Sequence, residues 1–165
     1  MSVCRSVAIL LGLLAMPVRA SDASASWDRL KALVGTWQRA EASTPASKAF
    51  RIRYRLISAD TVLVEDFGDP AKQPTHTVFH LDGDRLLATH YCAQGNQPRL
   101  RLRTGPSTDA LVFDFLDATS LRSAADSHLV RLTFRWRDAD HLVREEVYAA
   151  NGREETGTLV LERIH

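Results

Sequence analysis

Glu65, His90, Cys92 and Tyr54 are the side chains of this chain best suited to chemistry at short range: a carboxylate, an imidazole, a thiol and a phenol. A carboxylate beside an imidazole is a common acid–base pair. Cys92 lies two residues from His90, which puts both on one face of a strand. A nucleophilic dyad also needs an orienting third group and an oxyanion site, and the sequence offers neither. His76 and His80 have a spacing that suits a metal on a helix. On a strand they would stand about 13 Å apart, at ~3.3 Å per residue, too far to share an ion. No metal and no prosthetic group is expected.

Period-two alternation dominates the segments that carry these residues. Phe50, Ile52, Tyr54 and Leu56 interleave with Arg51, Arg53 and Arg55; Leu100 and Leu102 with Arg99, Arg101 and Arg103; Val130, Leu132, Phe134 and Trp136 with Arg131, Thr133 and Arg135. Ser58–Asp60, Asp82-Gly83, Asp138–Asp140 and Asn151-Gly152 read as turns between such runs. With Gly35–Ala42, Thr61–Phe67, Thr75–Leu81, Arg85–Cys92, Ala110–Leu116, His141–Tyr148 and a last run ending near Arg163, ten strands are expected. Asp117–Ser127 is the one irregular stretch, suited to a helical turn or a flap. Ahead of the strands, Ser26 reads as an N-cap, Trp27, Leu30, Leu33 and Val34 as an inner stripe, and Gly35 as the stop of a short helix. No segment suits a βαβ crossover, so the sheet is antiparallel. The fold class is therefore all-β: a closed antiparallel barrel of about ten strands preceded by one short N-terminal helix, closure removing sticky edges.

Residues 1–20 read as a signal peptide. Arg5 gives a positive start, Val7–Ala15 an apolar core, and Ala20 the small residue required at the cleavage site. The apolar run is shorter than the ~20 residues that span a bilayer. Residues 21–165 are then the mature domain, exported to the periplasm or secreted, with no transmembrane helix. Losing Arg5 and Arg19 leaves 19 basic against 20 acidic residues, without the cationic excess that nucleic-acid binding needs. Cys4 leaves with the signal, so Cys92 is alone and no internal disulfide can form.

Gly35-Thr36-Trp37, following a short helix and opening the first strand, resembles the Gly-x-Trp signature of lipocalins and their calycin relatives. That resemblance implies that Trp37 closes one barrel end and that Arg163, from the last strand, packs over the indole; cation–π contacts of this kind are worth ~0.5–2 kcal/mol. The chain lacks the C-terminal helix of classical lipocalins and the helical pair of cytoplasmic fatty-acid-binding proteins. It looks more like nitrobindin-type barrels, but without their His-x-Glu-x-Gly, so haem does not carry over. It is most similar to exported bacterial calycin-like proteins bearing a stretch like His90-Tyr91-Cys92…Gly95-Asn96-Gln97-Pro98, a likeness that brings no activity with it.

Parity assigns the interior. Around Asp82-Gly83, a residue sum near 165 pairs Phe79 with Leu86, Thr77 with Ala88 and Thr75 with His90, with Cys92 on the same face. Around Ala59-Asp60, Tyr54, Leu56, Leu63, Glu65 and Phe67 share a face. The arginine series then lies outside as a solvated face. Phe50, Phe113, Phe115, Phe134 and Trp136 complete a bulky inner set. A cavity lined by Tyr54, Glu65, Phe67, Thr77, Ala88 and His90, with Asn96 and Gln97 at its mouth, suits a small apolar or amphipathic ligand. Two other readings use the same residues: a hydrolase- or isomerase-like enzyme working through His90 and Glu65, or a ligand-free structural envelope protein. In that last case Glu65 pairs with a basic neighbour and His90 is a hydrogen-bonded core histidine.

Overall fold

A computed structural model describes residues 22–104 and 109–165; the expected signal peptide lies outside them. Ten antiparallel strands close into a barrel in which each strand pairs with its neighbours in sequence and the first pairs with the last. They are β1 (Gly35–Arg39), β2 (Arg51–Ile57), β3 (Val62–Gly68), β4 (Thr75–Asp82), β5 (Arg85–Tyr91), β6 (Gln97–Leu102), β7 (Ala110–Thr119), β8 (His128–Trp136), β9 (His141–Ala150) and β10 (Arg153–Ile164). Helix α1 (Asp22–Lys31) leads in, and a five-residue α2 (Pro45–Ala49) links β1 to β2. The link is thus helical, where the sequence suggested only a short connection. Thr44 and Ser47 cap it reciprocally.

The alternation works as read. Ile52 and Tyr54 are buried while Arg53 between them is exposed, and on the outer face Arg99 and Arg103 pair with Asp117 and Asp114. Ser58, Ala59 and Asp60 all adopt left-handed backbone, with φ of 54°, 53° and 62°, an uncommon conformation for residues with a Cβ. That turn sets Tyr54 opposite Glu65 and Leu56 opposite Leu63.

Two expectations need correction in register. The second hairpin turns about Gly83-Asp84, so Phe79 pairs with Ala88, Thr77 with His90 and Leu81 with Leu86. The shift is by two residues, so every side chain keeps its face. β7 runs on to Thr119 through a bulge opposite Arg99 and Leu100, which shortens the irregular stretch. Beside this bulge Phe115 is 38% exposed rather than interior, its ring 5.1 Å from that of His128.

Helix α1 begins at Asp22, four residues before the expected cap, and buries Ala23, Trp27 and Leu30, with Leu33 just beyond its end; Val34 is 41% exposed, not part of the stripe. The helix end and the barrel end are tied by one tryptophan and one arginine. Trp37 Nε1 donates to Leu33 O at 2.8 Å. The Arg163 guanidinium lies 4.3 Å from the indole centroid and donates to Ala32 O and Val34 O, each at 2.8 Å. Carbonyls left open where a helix ends are thereby satisfied by a cation. Gly35 stands at φ +130°, and a Cβ there would meet Arg163 Nη1 at 3.1 Å, so both conformation and space require glycine.

This end seals the barrel. Removing the buried indole in Trp37→Ala should lower unfolding free energy by ~3–5 kcal/mol. Arg163→Ala should lower it by ~1–3 kcal/mol through its lost hydrogen bonds. In urea denaturation the two should be coupled by at least ~0.5 kcal/mol, and additivity within ~0.3 kcal/mol would contradict a shared closure.

Candidate functional site

Above the aromatic floor of Phe79, Phe113 and Phe134, whose rings pack edge to face, the barrel interior changes from apolar to polar. β2 contributes Tyr54, β3 Glu65, β4 Thr77, β5 His90, and β9 Arg144 and Tyr148. Glu65 and Arg144 come from different sectors of the wall and meet across the interior, both side chains 0% exposed. Arg144 Nη2 donates to Glu65 Oε1 at 2.8 Å and Nε to Oε2 at 3.0 Å, a bidentate pair. Tyr54 donates its hydroxyl to Oε2 at 2.6 Å and Thr77 to Oε1 at 2.9 Å. Each carboxylate oxygen therefore accepts two hydrogen bonds. The guanidinium also stacks over Phe67, 4.7 Å from its centroid.

From Glu65 the hydrogen-bond chain has only one direction it can take. Thr77 has a single hydroxyl proton and gives it to Glu65, so it must accept from His90 Nδ1, 3.0 Å away. Neutral His90 then presents a bare Nε2, which accepts from the Tyr148 hydroxyl at 3.1 Å. The chain continues towards the thiol of Cys92, which neighbours the Tyr148 oxygen.

Electrostatics fix the protonation states. Burial pushes the Glu65 carboxyl upward, but Arg144 and the hydrogen bonds it receives outweigh that and hold it below its ordinary value. Burial works against the Arg144 cation too, yet Glu146 and Glu65 keep it firmly charged. Burial, aided by the Arg144 charge and opposed by the two glutamates, depresses His90. Burial raises both phenols, with Glu65 adding to it at Tyr54 and Glu146 at Tyr148.

The sequence-derived inner set gathers here: Tyr54, Glu65, Thr77, Ala88 and His90 are all buried to within 1%. A water-sized sphere barely touches them, so they form a sealed layer. Phe67 is only partly buried and lies nearer the open end. Asn96 and Gln97 sit apart from the cluster. Asn96 Nδ2 donates to Ser127 O, and Gln97 exchanges hydrogen bonds with Gly95 O and Thr119. Asn96 lines an open cleft of about 560 Å³ with Gln94, Gly95, Ser120, Arg122, Asp126 and Ser127, and Gln97 does not. Arg144, Glu146 and Tyr148 were missed from the sequence. Parity along β9 was the available signal, since it puts all three on the face of Leu142.

Glu146 completes the layer towards the mouth. Its carboxylate is 17% exposed and lies 2.9 Å from Arg144 Nη1. That contact neutralises charge but is not aligned as a hydrogen bond, and Nη1 has no hydrogen-bond partner among the described residues. No protein-family model matches the chain, and no curated protein matches it either.

The pair predicts a thermodynamic signature. Glu65→Gln strands a buried guanidinium and should cost ~3–5 kcal/mol. Adding Arg144→Met should recover at least ~2 kcal/mol, because an apolar replacement needs no partner. Equal losses in the single and double variants, measured by chemical denaturation, would contradict this.

Proposed function

We propose that the protein is an exported, calycin-like barrel that takes a small apolar or amphipathic molecule into the open half of its interior. The observation that carries this reading lies on β10. Residues Arg153–Thr158 are exposed on both faces, although register places Glu155 and Gly157 on the inner face, opposite Tyr148 and Glu146. A Cβ added at Gly157 would meet no atom within 4 Å. The inner face of β10 is therefore open along this stretch, opposite Glu146 and Tyr148. Concave, mostly apolar sites with a few fixed polar groups are where small molecules bind.

On this reading Phe67, Glu146 and Tyr148 touch the ligand, while Tyr54, Glu65, Thr77, Ala88 and His90 hold the layer beneath it. The rigidity of that layer is useful, since a preorganised wall loses little entropy on binding. Both ring nitrogens of His90 are committed to hydrogen bonds, which leaves the imidazole no free face for proton transfer to a ligand. The binding reading is therefore favoured over the acid–base one. Export rests on the pattern of residues 1–20 described above.

N-phenyl-1-naphthylamine, a neutral apolar fluorophore, should bind the purified protein saturably with enhanced emission, and Phe67→Ala should weaken it by about tenfold, or ~1.4 kcal/mol. Absence of saturable binding would overturn the reading. Protein recovered outside the cytoplasm should begin at Ser21; retention of Met1 would remove export from it.

A further inference from the structure

We propose that the free edge of β10 beside the barrel mouth is a docking site for an extended polypeptide segment of another protein. The segment adds as a strand antiparallel to residues 153–158, with an apolar side chain opposite Gly157 and a basic one opposite Glu154. This goes beyond the interior-binding reading and does not depend on it.

The backbone defines the edge. β1 pairs with β10 from Thr36 opposite Ile164 to Arg39 opposite Leu161, and the contact ends where Ala40 N donates to Val160 O at 3.0 Å. Above that point β10 continues to Arg153 paired with β9 alone. Successive residues of a strand turn their N–H and C=O groups to opposite neighbours. Arg163 N donates to Asp140 O on the β9 side, and Val160 O accepts on the β1 side. The ladder with β9 runs without a register shift, so Glu154, Thr156 and Thr158 turn their backbone groups to the edge that β1 has left. Among the described residues no backbone hydrogen bond reaches these three from that side. The helix that follows β1, α2, buries none of its residues, and residues 153–158 are all exposed.

Donors and acceptors that repeat about every 6.8 Å along a line are matched by the main chain of an extended peptide. Side chains then set which peptide. The inner face carries Arg153, Glu155 and Gly157, and the outer face Glu154, Thr156 and Thr158. Arg153 and Glu155 offset each other in charge, so Glu154 is the charge left for an incoming strand, and opposite charges directly across a strand pair are favourable. A Cβ at Gly157 would meet no atom within 4 Å, and the next inner residue, Leu159, is buried. The residue opposite Gly157 therefore has room for an apolar side chain above Leu159.

A second copy of this chain does not fit the same edge. Two copies pairing antiparallel about a two-fold axis present the same stretch to each other. Centring the axis on Thr156 puts Gly152 of the second copy opposite Val160, where Ala40 already sits. A lower centre runs further into β1. Centring on Glu155 or on Glu154 sets that carboxylate against itself, and like charges directly opposite are destabilising. The acidic pair thus guards the edge against its own kind and leaves it open to a basic strand.

The probe is a peptide, acetyl-Thr-Leu-Thr-Thr-Lys-Thr, labelled with fluorescein at its C-terminus and followed by fluorescence anisotropy. Its leucine falls opposite Gly157 and its lysine opposite Glu154. It should bind saturably. N-methylation of its first, third and fifth residues, whose N–H groups face β10, should weaken binding by about tenfold or more. The same change at the second, fourth and sixth residues should alter it by less than about threefold. Thr156→Pro removes an edge N–H that β9 does not use, and should abolish binding with the circular dichroism unchanged. Glu154→Lys leaves the backbone intact; it should weaken the lysine peptide and strengthen one with glutamate in its place, each by about tenfold. Absence of saturable binding, equal losses for the two methylation patterns, or indifference to Glu154→Lys would overturn the proposal. Sedimentation showing a dimer that Thr156→Pro disperses would assign the edge to a second copy instead. None of these readouts uses N-phenyl-1-naphthylamine, so failure here leaves the interior-binding reading standing, and the reverse holds too.

Discussion

A carboxylate has been placed in the middle of an apolar barrel, and the upper half of the structure is arranged around keeping it ionised. An unpaired carboxylate in such surroundings would protonate or unfold the protein. Glu65 instead accepts four hydrogen bonds, two from Arg144 and one each from Tyr54 and Thr77. Those donors come from three other strands, so the carboxylate fixes the relative register of β2, β3, β4 and β9. The pair is weak as a source of net stability, since desolvation offsets most of its attraction. Its strength is specificity: any slip of one strand by one residue breaks several bonds at once.

The two barrel ends solve different problems. At one, Trp37, Arg163 and α1 close the interior with a hydrogen-bonded indole, a stacked guanidinium and a stripe of buried apolar residues. At the other, the polar layer stops short of the mouth, and β10 continues with both faces exposed. Filling the first end with side chains stabilises the fold; the second, left open along β10, is where the proposed ligand would enter. The same division explains His90. It is buried and neutral in the fold, but takes a proton below its ordinary value of 6.5 once unfolded. The unfolded state then binds more protons, and acidification through that range costs stability.

Much of this was legible from period-two alternation. It placed Tyr54, Glu65, Thr77 and His90 on one inner face, because a two-residue error in hairpin register leaves parity intact. The Gly-x-Trp and the late arginine marked the closed end. What escaped has physical reasons. On β9 the inner face carries Leu142, Arg144, Glu146 and Tyr148, whereas the outer one carries Val143 and Val147; hydropathy favours the wrong face. Arg144 is buried only because Glu65, 79 residues away in sequence, waits for it, and no local pattern reports a partner at that distance. The bulge that follows Phe115 in β7, where that ring is 38% exposed, and the start of β8 at His128, two residues early, likewise lie outside simple alternation. The start of α1 at Asp22 was hidden because Ser26 imitates a cap that the chain does not use.

A directional chain of hydrogen bonds runs from the Tyr148 hydroxyl through His90 and Thr77 to an ionised Glu65. Nitrogen-15 spectra of the His90 ring, recorded from about pH 8 down through 6.5, read that direction at its central link. A proton on Nδ1, a bare Nε2 and a ring that stays neutral below 6.5 are the predicted result. A proton on Nε2 in the neutral ring, or titration at the ordinary value, would contradict it.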